Sequence, residues 1–264
     1  ETCHADAALN LNEAIFPSGV QVTGFGRDTV CITCHTGRNS LMDIDNLFQG
    51  AAEGEIRESN FLNIHYASAA ASCFGAEARM GAEYPGKTYV SYKKHAGSMQ
   101  ACVDCHDPHT LQVDLNTCST CHIGLNQKGD LHNIRMSTMD FDNDGNTTEG
   151  VYYEIEGIKI WLYAAIQSYA IQVIDQPIVY NVSAFPYFFN DSNSDGQAGD
   201  DESGSDNAYH RWNLHLEKAA FNYNFSQKES GAYVHNDIYM IQLLCDSLED
   251  LGKYVQVNGV CNRP

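Results

Sequence analysis

Cys102-Val-Asp-Cys105-His106-Asp-Pro-His109, followed at once by Cys118-Ser-Thr-Cys121-His122, is the stretch on which the reading of this chain turns. Both segments, and a third at Cys31-Ile-Thr-Cys34-His35, have the form Cys-x-x-Cys-His. Two thiols three residues apart can add to the two vinyl groups of one porphyrin. The histidine that follows then falls beneath the ring and ligates its iron. Two other chemistries use Cys-x-x-Cys. Cys102, Cys105, Cys118 and Cys121 also form the paired pattern of a zinc ribbon, and a single pair can be a redox dithiol. Neither needs histidine at the fifth position. With 11 histidines in 264 residues, three such coincidences are roughly a one-in-ten-thousand event, which favours c-type haem.

The N-terminus reads Glu1-Thr2-Cys3-His4, the tail of a fourth such motif. Cys-His occurs nowhere else outside a motif, so Cys3 and His4 are expected to hold a fourth haem. Seven further histidines remain for distal positions: His65, His95, His109, His132, His210, His215 and His235. That supply allows every iron two histidine ligands. His109 stands three residues after His106 and reaches only about 10 Å along the chain. It cannot pass round the same porphyrin, so as a ligand it must serve a neighbouring haem. His65 lies in a helical-looking run over 63–71, His95 follows two lysines, and His235 opens a strongly periodic helix; these three are the other expected distal ligands. His132 is a weaker candidate, and His210 and His215 read as surface residues.

Hydrophobic residues make up 43% of the chain, a globular composition. The net charge of −19, from 34 acids and 15 bases, disfavours nucleic acid and anionic lipid as partners. No apolar run has the length of a membrane span. Composition changes near 135, which divides the chain into an expected multihaem part at 1–135 and a helical part at 136–264.

The second part carries two acidic loops. Asp140, Asp142 and Asp144 precede Gly145 in a DxDxDG pattern, with Glu149 as the further carboxylate. Asp191, Asn193, Asp195, Gln197 and Glu202 follow a calcium-loop spacing around Gly196. Both are expected to bind calcium in a clamping role, although residues 185–187 make a poor entering helix for the second. Apolar spacing predicts helices over 150–173, 206–224 and 234–251, the last capped by Gly252. Cys245 and Cys261 can pair or remain free. The fold expected is mostly α with long irregular loops: a haem-packed N-terminal part and a helical calcium-binding C-terminal part.

Several stretches together resemble a known group: Cys31 to Arg38, His65-Tyr66, Tyr84 to Tyr89, Cys102 to His109, Asp140 to Gly150 and Gly231 to Ser247. The chain is similar to secreted multihaem cytochromes of metal-reducing and sulfur-metabolising bacteria and archaea. The resemblance covers most of the chain, though outside the haem motifs it is only moderately specific. It implies electron transfer, extracellular or periplasmic, to other redox proteins or extracellular acceptors, and it permits filaments of identical subunits in which a distal histidine comes from the next copy. The competing function is a multihaem oxidoreductase acting on a small nitrogen or sulfur compound, which would need an iron with one open face.

Overall fold

The computed structural model describes residues 2–97 and 99–264, so Glu1 of the N-terminal motif lies outside it. The helices among these residues are α1 (Asp6–Leu9), α2 (Thr29–Cys34), α3 (Leu41–Leu47), α4 (Ala69–Phe74), α5 (Cys102–Cys105), α6 (Leu115–Ser119), α7 (Val151–Tyr169), α8 (Leu214–Lys228), α9 (Ala232–His235) and α10 (Asp237–Leu251). Six short strands form three antiparallel pairs: β1 (Glu13–Ile15) with β2 (Gln21–Thr23), β3 (Arg57–Glu58) with β6 (Arg211–Trp212), and β4 (Ile178–Tyr180) with β5 (Phe188–Asn190). The protein is mostly helical. None of its helices is long and apolar enough to cross a membrane among the described residues.

α10 is the central element. Every residue from Tyr239 to Leu248 is buried, so this helix has no solvent face along that length. α7 and α8 pack on it through Ile158, Leu162 and Ile166 and through Leu216, Ala220 and Phe221, at the 3–4-residue spacing that puts side chains on one helix face. Asn213 and Asn236 start α8 and α10 by accepting backbone N–H groups of Leu216 (2.9 Å) and Tyr239 (3.2 Å).

The remaining side of α10 is covered by the irregular strap 81–94. Buried polar residues of the helix hold it. Gln242 accepts the Val90 N–H at 2.9 Å, the Tyr239 hydroxyl meets both the Gly81 N–H and Glu83, and Asp237 pairs with Lys93. The strap crosses α4 where Gly75, at φ +53°, has no side chain to collide with the Val90 carbonyl. Its far end carries His95. A disulfide joins Cys245 of α10 to Cys261, with Cα atoms 5.5 Å apart, and so ties the C-terminal tail to the same helix.

The structure corrects several local expectations. The predicted helix 206–224 starts eight residues later, because Trp212 pairs in β6 instead of joining α8. The run 63–71 is helical only from Ala69; His65 and Ala67 sit at φ +77° and +53°, outside any helix. The helix predicted over 150–173 ends at Tyr169 and continues as a wider turn over Ala170–Ile174, leaving Val173 exposed. His235 closes the short helix α9 and does not begin α10.

One cluster of buried apolar side chains, from Ala14 to Val255, runs through both sides of residue 135. Among the described residues of 90–130, the half-buried Tyr92 packs against it and none is buried.

Candidate haem and cation sites

Each Cys–His segment is set in a helical turn, which brings thiols three residues apart to one side. Cys31 and Cys34 lie in α2, Cys102 and Cys105 span α5, Cys118 lies in α6 with Cys121 in the turn after it, and Cys3 belongs to a 3-10 turn over Thr2–His4. Asp114 starts α6 by accepting the Asn116 N–H at 3.0 Å and the Thr117 hydroxyl at 2.9 Å. All of these thiols are unpaired.

Three histidine rings that follow a motif cysteine face a second histidine from elsewhere in the chain. His4 and His109 have ring centres 6.3 Å apart and planes 11° apart. His95 and His122 are 6.3 Å apart at 73°, and His106 and His235 are 6.2 Å apart at 44°. A metal–imidazole bond is about 2 Å and the ring centre lies about 1 Å behind its nitrogen, so two rings bound to opposite sides of one metal have centres about 6 Å apart. The pairs have the spacing that one iron between them requires. They join residues up to 129 positions apart, as for His106 and His235, and three independent pairs share the same distance.

His35 differs. Its Nδ1 bonds to the Ala67 carbonyl, and no histidine ring faces it at that spacing among the described residues. His65 lies two residues before Ala67 and rests on the Tyr66 ring at 4.0 Å. His132 is stacked on Tyr152 at 3.8 Å. His215 is not a free surface residue: it bonds to Asp250 (2.6 Å) and Glu53 (2.8 Å).

The arrangement of the thiols does not suit zinc. The four thiols of a ribbon do not converge among the described residues, where the one thiol-bearing group of possible ligands is Asp28, Cys31 and Cys102. Cys31 and Cys102, from different motifs, are therefore neighbours.

In the first acidic loop, Asp142, Asp144 and Glu149 bring ligand oxygens within 4.8 Å of one another, as do Asp140, Asp142 and Glu154; Asp140 also accepts the Gly145 N–H at 2.8 Å. Sequence reading missed Glu154. This fully buried carboxylate of α7 accepts the Phe141 (2.7 Å) and Asp142 (2.9 Å) N–H groups, pairs with Arg135 and reaches the same cluster. Burial and the crowding of Asp144 and Glu154 push the Asp142 carboxyl up to about 7.

In the second loop, Asp191, Asp195 and Glu202 converge within 4.8 Å. Asn193 Nδ2 bonds to Asp195 at 3.1 Å, and Gln197 contributes its backbone N–H to Asp195. Asp191 accepts the Gly196 N–H at 3.0 Å through one oxygen. Its other oxygen is buried with no partner, in a side chain only 8% exposed. An orphaned buried carboxylate oxygen is costly unless a cation meets it. The loop follows β5 directly, so it lacks an entering helix.

Comparison with known proteins identifies relatives. The C-type polyheme cytochrome OmcB of Geobacter sulfurreducens is 26% identical over 267 aligned residues, covering 88% of this chain and 32% of OmcB. OmcC of the same species is 26% identical over 267 residues, covering 88% of this chain and 31% of OmcC. This chain thus spans about a third of the length of the curated relatives it matches. No family profile matches it, and no solved structure does. By sequence, the chain is a distant homologue of multihaem c-type cytochromes.

Proposed function

We propose that this chain transfers electrons through four covalently held haem c groups, attached at Cys3, at Cys31 and Cys34, at Cys102 and Cys105, and at Cys118 and Cys121. The observation that carries the reading is the set of three facing histidine pairs, each with one member from a Cys–His segment. Bound haem supplies an iron that cycles between ferric and ferrous states. The chain's residues do the rest. His4 and His109, His106 and His235, and His122 and His95 would each hold one haem between them; an iron so held has no position open to substrate, which favours electron carriage over catalysis. His35, its ring oriented by the Ala67 carbonyl, would hold the fourth, with His65 the further candidate there.

The proximity of Cys31 to Cys102 would bring two of the attached haems together and supports short hops. The acidic loops hold calcium: Asp140, Asp142, Asp144 and Glu149 at one, with Glu154 beside them, and Asp191, Asp195 and Glu202 at the other. The Cys245–Cys261 disulfide supports a location outside the cytoplasm, extracellular or periplasmic. Partners are other redox proteins or extracellular acceptors, with identical subunits in a filament as a further arrangement.

A pyridine haemochrome assay on the purified chain is expected to give four haems; three would remove the Cys3 site. His109→Ala should then convert one haem to the five-coordinate high-spin form by resonance Raman while leaving all attachments intact. Unchanged six-coordinate spectra would show that His109 is no ligand.

A further inference from the structure

The rings proposed to hold haem are steadied from behind by different groups. Nδ1 of His35 meets the Ala67 carbonyl and that of His95 the Ala96 carbonyl at 3.0 Å. These are neutral dipoles. His235 is the exception: its Nδ1 lies 2.7 Å from Oε1 of Glu229, a full carboxylate. Glu229 caps the C-terminal end of α8, and its side chain is 3% exposed. The same oxygen accepts the Gly231 N–H at 3.1 Å, which fixes its direction. Gly231 also makes the approach possible, since a Cβ there would run into both the His235 ring and the Glu229 oxygen. Among the described residues, no lysine or arginine pairs with Glu229.

We propose that Glu229 is a positioning residue that lowers the reduction potential of the haem held by His106 and His235. This rests on the reading of His235 as an axial ligand. A carboxylate that accepts the Nδ1–H bond draws the proton toward itself and leaves negative charge on the imidazole, which makes the ring a stronger donor to iron. Ferric iron carries one more positive charge than ferrous and gains more from that donation. When a neighbouring donor is oxidised by one electron and this iron is reduced, the added electron meets a negative charge that little water screens. The ring keeps its proton throughout, so no proton transfer is needed for balance. Without that carboxylate the same haem would be easier to reduce. Its attachment at Cys102 lies beside Cys31 of another motif.

Glu229→Gln in the haem-loaded chain keeps an oxygen that accepts the Nδ1–H bond and removes the charge. Spectroelectrochemical titration should show one of the four midpoints rising, with about a tenfold change in its reduction equilibrium, or ~59 mV for one electron. The other three should stay in place. Four unmoved midpoints with all irons six-coordinate would overturn the proposal. A measurement on the unaltered protein guards against a variant that fails to fold. The near-infrared charge-transfer band of low-spin ferric haem moves to higher energy when an axial imidazole carries negative charge. One haem of the four should show that displaced band, and four alike would also overturn the proposal. His235→Ala separates the two readings. If it opens one iron while Glu229→Gln changes nothing, only the tuning role fails; if it leaves every iron six-coordinate, the ligand assignment fails with it.

Discussion

Residues 90–130 and residues 214–251 obey different rules of folding. In the second region α8 and α10 bury nearly every side chain, and α10 is enclosed on all sides. In the first, α5 and α6 are four and five residues long, and no described residue is buried. Helices shorter than about 12 residues are marginal in water on their own. A stretch with two such helices, four cysteines and four histidines, and no apolar interior, needs something else at its centre. On the function proposed above, the difference teaches that one chain can build its core from side chains in one place and leave it to a cofactor in another.

The sharpest way to break this comparison is to withhold the cofactor. With Cys102, Cys105, Cys118 and Cys121 all replaced by Ser, residues 99–130 should lose amide protection by orders of magnitude in hydrogen exchange, while α8 and α10 stay protected. Protection retained over 99–130 would mean that the stretch has a core of its own. A smaller change should come from the other side. Leu244→Ala, at a fully buried position of α10, should cost about 2–5 kcal/mol in denaturant unfolding. The haem spectra of its native state should be unaltered; a shift in them would show that the two regions are coupled through packing. The smallest effect expected is from the acidic loops. Removing calcium with a chelator should lower stability by about 1.4 kcal/mol per loop if the ion was present at about ten times its dissociation constant. Asp191→Asn should abolish part of that difference. An identical melting curve with and without chelator would leave both loops as solvated acidic turns.

Much of the second region could be read from periodicity. Ile155, Ile158 and Leu162 in α7, and Ile241, Leu244 and Leu248 in α10, recur at helical spacing because each faces a neighbouring helix. Asp206 to Asn224 misled because Trp212 falls in step with Leu216 and Ala220, yet is held in a strand by pairing with Arg57, which lies far back in the sequence. At the candidate site, the Cys–His segments were plain since attachment is local chemistry. For His109, spacing alone excluded its own haem, but nothing local could point to His4 across 105 residues. Glu154 and Glu229 were invisible for another reason. Each is an ordinary acidic residue on a helix, and only the chain folded back over it, at Phe141 and at His235, turns it into a buried acceptor.

The turn between His106 and His109 has one more consequence. Asp107 clamps it, accepting the His109 N–H at 3.0 Å, the Thr110 N–H at 2.7 Å and the Thr110 hydroxyl at 3.0 Å. Pro108 removes a backbone freedom inside the same turn. Electron tunnelling weakens exponentially with the gap, so a gap that breathes yields a rate dominated by rare close approaches. A clamped four-residue caliper with a ligand ring at each tip leaves little to average over. On the ligand assignment proposed above, the hop between those two irons would run at a rate written into covalent bond lengths, largely indifferent to temperature-driven swelling of the surrounding protein.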